Sequence, residues 1–317
     1  MKAAPHLKII TLENIKKGIW FGGLFVRTIV KHLPFGVNYD ITWNCNLKCN
    51  HCYFISSRNE LRNKQNPRGE ELVELSDDTW INIFNYHRSL GIKSVSLTGG
   101  EPTLRMNLIK KAIEIFPSVQ IASNGVIKLP RFKIKKQPIY WVSLDGKKKT
   151  HNQIRGADIF DKVINNIKND ERVLISTTIT SKNYTEIEDI VSIAYNAGVS
   201  GLFFIMYTGY PGDPLLLKGE KLKTTVNNIL RVMKDYDEFV LISNKMLELY
   251  ITKEFVSDCI FKKGGVESYY PNGKRKFCVM GNSPLLCSNC GCIVPVATYA
   301  LSMLDYETIE KIKKFPF

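Results

Sequence analysis

Residues 37–52 read VNYDITWNCNLKCNHC, a β-branched and aromatic run that ends in three cysteines, Cys45, Cys49 and Cys52. The run has strand propensity as far as Thr42, which puts Cys45 just past the carboxyl end of a strand. The same rhythm recurs downstream. Runs of this kind at 94–98, 119–122, 139–144, 173–178 and 202–206 alternate with stretches of three- and four-residue apolar spacing at 77–90, 104–116, 159–168, 184–197 and 221–236. Such alternation predicts repeated βα units on a parallel sheet.

Six strands are too few for a closed eight-stranded barrel, so the expected fold is α/β, a partial (β/α)6 TIM-type barrel. Functional residues of such folds gather at the carboxyl ends of the strands. The motifs obey that expectation. Cys45 follows the first strand, Gly99-Gly100-Glu101-Pro102 the second, Ser123-Asn124-Gly125 the third and Asp145-Gly146 the fourth. The link 126–138 (VIKLPRFKIKKQP) has two prolines and many basic residues, and predicts a basic loop in place of a helix. The expected organisation is an amphipathic leader at 1–35, the barrel at 36–236 and a small cysteine-rich extension at 237–317.

The 317 residues are 44% apolar, enough to bury a full core, and 44 Lys and Arg against 30 Asp and Glu give a net charge of +14. That excess favours an anionic partner, whether membrane headgroups, nucleic acid or an acidic small molecule. Eight cysteines without a secretory signal argue for metal or redox chemistry in a reducing cytoplasm and against a disulfide framework. In the leader, 15–30 (IKKGIWFGGLFVRTIV) is too short and too interrupted by Arg27 to span a bilayer. With lysines around Trp20, Phe21, Leu24 and Phe25, it either packs on the protein or lies at a membrane surface, making the protein cytoplasmic and peripheral in the second case.

Three thiolates in one loop suit a 4Fe-4S cluster with one iron left open, because a four-iron cluster normally takes four cysteines. Zinc is the alternative, with Cys49 and Cys52 as one CxxC pair and Cys287 and Cys290 as a second. The surrounding motifs bear on the choice. The CxxxCxxC loop with His51 before its last cysteine resembles the signature of the radical S-adenosylmethionine (SAM) superfamily, and Gly99 to Pro102 resembles its GGEP motif. Ser143-Leu-Asp145-Gly146, followed by His151 and Arg155-Gly156, resembles the fourth-strand motif of members that carry SPASM or twitch extensions.

The resemblance implies that Cys45, Cys49 and Cys52 hold the catalytic cluster and that SAM chelates its open iron. It implies a SAM site built from His51, Gly99, Gly100, Glu101, Pro102, Asn124, Ser143 and Arg155. The two glycines would let backbone approach the methionyl end, and Glu101 would accept from its ammonium. Arg155 would fork onto the methionyl carboxylate, with Ser143 or Asn124 on a ribose hydroxyl or that carboxylate. An electron donor such as ferredoxin or flavodoxin would reduce the cluster, and a 5'-deoxyadenosyl radical would take hydrogen from an unactivated carbon.

The last fifth of the chain carries Cys259, Cys278, Cys287, Cys290 and Cys292. Four of these suffice for one auxiliary 4Fe-4S cluster in a reduced SPASM- or twitch-like extension, with either Cys290 or Cys292 as the spare. For the substrate, the leader favours a membrane lipid or isoprenoid, as in lipid-modifying members of the superfamily. Peptide maturation is the alternative, followed by tRNA modification and by a non-catalytic zinc module that binds nucleic acid.

Overall fold

A computed structural model describes residues 33–54, 73–134 and 137–313. The leader up to residue 32, and two lysines of the basic link, lie outside the described residues. Strands β1 (Gly36–Thr42), β2 (Ser94–Gly99), β3 (Ser118–Ser123), β4 (Ile139–Ser143), β5 (Val173–Ile179) and β6 (Gly201–Met206) form where the β-branched runs predict them. Each pairs in parallel with its sequence neighbour. Helices α1 (Asp77–Ser89), α2 (Met106–Ile115), α3 (Lys148–Arg155), α4 (Phe160–Ile167), α5 (Ile187–Asn196) and α6 (Gly219–Asp235) lie between and after them. Helix α1 starts at Ser76, whose hydroxyl accepts from Thr79 N at 3.2 Å, and it carries Asp77 and Asp78 at the positive end of its dipole.

Along most of β1 to β5 the residues alternate between a helix-facing and an inner side. Tyr39 of β1 packs outward on Trp80 and Phe84 of α1, with ring centroids 5.6 and 4.9 Å apart. Leu97, Ile121, Tyr140 and Ile175 are likewise fully buried in the helix-facing core. The intervening residues, among them Asn38, Ser96, Gln120, Ser143 and Ser176, turn inward and line a cavity. A parallel strand covered on both faces is usually apolar throughout. Here the inner face carries many polar side chains, interrupted by Ala122 and Trp141, and lines a chamber.

Beyond α6 the chain continues with α7 (Asn244–Thr252), β7 (Val266–Tyr269), β8 (Arg275–Lys276), α8 (Ile293–Ser302) and α9 (Tyr306–Ile312). The sequence predicts a loop-rich tail here, but β7 pairs in parallel with β1 and β8 antiparallel with β7, giving the order β6-β5-β4-β3-β2-β1-β7-β8. The tail also reaches the opposite edge, where Leu202 of β6 bridges Val240 and Met206 N donates to Gly291 O at 3.2 Å. Both open edges of the partial barrel are thereby paired, which removes unsatisfied strand backbone.

A buried ion pair fastens this extension to the barrel. Lys276 of β8 and Asp40 of β1 are 1% and 0% exposed, Lys276 Nζ donates to Val279 O at 3.0 Å, and Thr98 Oγ1 donates to Asp40 Oδ1 at 2.6 Å. Removing one partner of such a pair strands a charge. Lys276→Met is therefore expected to lower the unfolding free energy by about 3–5 kcal/mol, and adding Asp40→Asn to recover most of the loss. Urea unfolding of both variants checks this, and a single variant as stable as the wild type refutes it.

Candidate functional site

The cysteine loop is clamped by backbone on two sides. On one side Gly100 N donates to Thr42 O and Glu101 N to Asn44 O, both at 2.8 Å. A Cβ on Gly100 would stand 2.0 Å from Asn44 O, and one on Gly99, at φ +116°, 2.7 Å from Thr42 O. The two glycines are thus required by the close seat of the GG turn on the chain entering the loop. Both glycines also line the cavity. On the other side Asn50 N donates to Ile154 O and Asn50 Nδ2 to Gln153 O, both at 2.9 Å. Gly156 closes α3 in a left-handed conformation, with room for no Cβ against Lys48 O at 2.8 Å.

Between the clamps Cys45, Cys49 and Cys52 are free thiols, and all three line the cavity. Burial pushes the Cys45 thiol up to about 11, so a thiolate there needs the charge of a bound metal. Three free sulfurs on a rigid backbone loop beside a chamber fit a cluster that keeps one iron for a ligand.

Glu101 is 1% exposed and largely satisfied by the protein. Its Oε1 accepts from Thr103 N at 3.1 Å, Thr103 Oγ1 at 2.7 Å and Ser123 Oγ at 2.9 Å, and its Oε2 from Asn124 N at 2.8 Å. A carboxylate offers about four acceptor sites, so Glu101 primarily ties the ends of β2 and β3 together. Burial raises its carboxyl, and the four donors oppose that rise. Pro102 opens the turn into α2, and Ser143 lines the cavity. Asn124 Nδ2 donates to Asn46 Oδ1 at 2.7 Å and lies 4.0 Å from Cys45 Sγ.

Behind the loop lies a buried charged group that the sequence read only in part. Arg155 Nη2 pairs with Asp145 Oδ2 at 2.6 Å, while its Nη1 points at Cys49 Sγ at 3.9 Å. The Arg155 guanidinium therefore faces both Asp145 and the cysteine loop. Burial is the largest influence on the Asp145 carboxyl and raises it, but the Arg155 guanidinium, the two histidines and the Thr178 N–H together outweigh it and hold it low. Thr178 N donates to Asp145 Oδ1 at 3.0 Å, and the Asp145 N–H donates to His151 Nδ1 at 3.1 Å. Burial lowers His51 and His151 to about 4 each, so both are neutral. His51 is buried behind the loop with its Nε2 3.7 Å from Asp145 Oδ2.

The C-terminal cysteines gather on the same end of the barrel. Cys259 and Cys278 lie near enough to Cys290 to raise its thiol, which burial above all pushes up to about 12. Cys287 and Cys259 raise Cys278 in the same way, after burial. Among the described residues no three His, Cys, Asp or Glu side chains converge on a single ion, so the fold supplies a grouping and not a preformed one-ion site. Gly291 sits with its Cα against β6, where a Cβ would meet Met206 O at 1.8 Å, and Gly291 N donates to Thr208 Oγ1 at 2.9 Å. That seat separates its neighbours. Of the five, Cys292 lines the cavity together with Cys45, Cys49 and Cys52, whereas Cys259, Cys278, Cys287 and Cys290 do not.

The cavity measures about 1280 Å³, more than the roughly 300–1,000 Å³ of an ordinary small-molecule site. One wall is the inner face of β1 to β5, polar apart from residues such as Ala122 and Trp141. The other is apolar, made by Ile205 of β6 and by Ile293, Val294, Ala297 and Leu301 of α8. Among the described residues no helix is long and apolar enough to cross a membrane.

A clamped three-cysteine loop at the carboxyl rim of a partial parallel barrel defines a class of proteins, and comparison with known families agrees. Residues 39–216 match the model of the Radical SAM superfamily. The chain belongs to this superfamily, whose members hold a 4Fe-4S cluster and bind SAM. It is 30% identical over 179 residues to the sporulation killing factor maturation protein SkfB of Bacillus subtilis, an alignment covering 53% of this chain and 41% of that one. It is 27% identical over 234 residues to the GTP 3',8-cyclase of Clostridium perfringens, covering 69% and 67%. Its fold is similar to that of Streptococcus suis SuiB bound to precursor peptide SuiA, with a TM-score of 0.59, 18% identity, and coverage of 88% of this chain and 68% of that one. The chain spans 41% and 53% of the length of the first two curated relatives it matches.

Proposed function

We propose that this chain is a radical SAM peptide maturase. In this reading Cys45, Cys49 and Cys52 hold the catalytic 4Fe-4S cluster, and Cys259, Cys278, Cys287 and Cys290 hold one auxiliary cluster at the same end of the barrel. When bound, the first cluster and SAM together supply a 5'-deoxyadenosyl radical, with electrons from a donor of the ferredoxin or flavodoxin type. The chain's own residues orient and enclose. Glu101 and Asn124 hold the rim, Ser143 and its neighbours on the inner strands offer hydrogen bonds, and α8 shuts one side from water. Eight free thiols agree with a reducing cytoplasm.

The observation that carries the substrate class is the charge of the chamber. Among the described lining residues the cations are Arg155, already paired with Asp145, and Lys93, which precedes β2 and so lies at the end away from the cysteine loop. A nucleoside triphosphate requires free cations at its phosphates. A polar wall facing an apolar one suits peptide backbone on one side and an apolar side chain on the other. The names of SkfB and of SuiB with its precursor peptide support the same reading. The lipid expectation rested on the leader, which lies outside the described residues.

The test uses anaerobically purified chain with SAM and dithionite, supplied with extract of its source cells divided into peptide and organic-soluble fractions. The peptide fraction should stimulate 5'-deoxyadenosine formation, lose that effect after protease treatment, and contain one peptide of altered mass. Stimulation by the organic-soluble fraction alone would overturn the reading in favour of a lipid.

A further inference from the structure

Arg155 faces two ways at once. Its Nη1 is 3.9 Å from Cys49 Sγ, its Nη2 is 2.6 Å from Asp145 Oδ2, and it is 8% exposed while Asp145 is 0% exposed. His51 Nε2 is 3.7 Å from Asp145 Oδ2, and His151 Nδ1 takes the Asp145 N–H. Four buried polar atoms here, His51 Nδ1, His151 Nε2, Arg155 Nε and Asp145 Oδ2, have no hydrogen-bond partner, although Asp145 Oδ2 is ion-paired with Arg155. A group assembled only for rigidity would satisfy such atoms.

We propose that Asp145 is a positioning residue that sets how much positive charge Arg155 presents to Cys49, and that the pair thereby tunes how readily the catalytic cluster accepts an electron. The inference rests on the reading of Cys49 as a cluster ligand. A reduced cluster carries one more negative charge than an oxidised one, and hydrogen bonds and net charge at its sulfurs shift its potential. A guanidinium N–H at the sulfur favours the reduced form. The Asp145 carboxylate, on the far side of the guanidinium, subtracts from that effect. In a low-dielectric site both contributions are weakly screened. The arrangement holds Arg155 at the cluster without giving it the full pull of an unpaired cation.

The test is a redox titration followed by electron paramagnetic resonance, without SAM, of the cluster whose signal changes when SAM is then added. Asp145→Asn should move its potential upward and Arg155→Met downward. The double variant should fall between Arg155→Met and the wild type, and Arg155→Lys should recover part of the Arg155→Met shift. An Asp145→Asn protein with full iron and an unmoved or lowered potential would overturn the proposal. If Asp145→Asn does not fold, the double variant decides: a potential above that of Arg155→Met supports the proposal, and an equal one refutes it. A Cys49→Ala protein that keeps the SAM-sensitive signal would instead remove the underlying ligand assignment.

Discussion

A single methyl group added at Gly100 will strip the catalytic cluster from this protein, although Gly100 ligates nothing. The new Cβ would stand 2.0 Å from Asn44 O, 2.6 Å from Asn44 C and 3.1 Å from Trp43 C, all backbone atoms. None of these can swing aside as a side-chain tip would. The same segment is fixed by Glu101 N on Asn44 O and by Trp43 N on Glu74 Oε1, at 2.8 and 2.5 Å, so the displacement passes into the loop that begins at Cys45. A shift of about 1 Å at a reacting site costs about 100-fold in rate. Gly100→Ala should therefore lose about four irons per chain, the content of one cluster, and at least about 100-fold in 5'-deoxyadenosine formation. Gly36→Ala is the control, since its Cβ meets only Ser94 O at 3.6 Å, an ordinary contact. Full iron and an unchanged rate in Gly100→Ala would show that the loop tolerates the shift.

Gly291→Ala should separate the two halves of the site. Its Cβ would lie 1.8 Å from Met206 O and 2.4 Å from Met206 C, and the hydrogen bonds from Met206 N to Gly291 O and from Gly291 N to Thr208 Oγ1 hold the segment in that place. Relief requires Cys290 and Cys292 to leave the edge of β6, with α8 following. In the proposed reading about four irons should be lost again, but now from the C-terminal cysteines, so reductive cleavage of SAM without substrate survives while the proposed peptide modification is lost. Iron content and the two activities measured on one preparation check this. Unsupplemented SAM cleavage that falls as far as in Gly100→Ala would mean that the tail supports the first loop as well.

Much of the barrel is legible in local pattern. Runs of β-branched residues and helices of three- and four-residue spacing are short-range properties, and the strands form where they predict, with small shifts at the ends. The cysteine loop, the GG turn and the Ser123-Asn124-Gly125 and Asp145-Gly146 turns all fall on one rim for the same reason. The inner face was also written in the chain, in the alternate residues Ser94, Ser96 and Thr98 of β2, yet such residues read equally well as a solvent face. Their inward placement depends on the closure of the sheet.

The alternating runs from 37 to 236 by themselves predicted a partial βα barrel, and the motifs at 45–52, 99–102 and 143–156 carried the resemblance to the radical SAM superfamily, because strand propensity, turn glycines and thiol spacing are carried by neighbouring residues. Only the tertiary structure decided what the site's charged and small residues touch. Glu101 meets Thr103, Ser123 and Asn124 at the ends of two strands, Arg155 meets Asp145 and Cys49, and Gly100 meets Asn44. Each is a contact between segments joined by the fold, so no local periodicity marks it. The extension followed the same logic: β7 found β1 and Gly291 found β6 because a partial barrel leaves two edges of unpaired backbone, and the remaining chain was there to cover them.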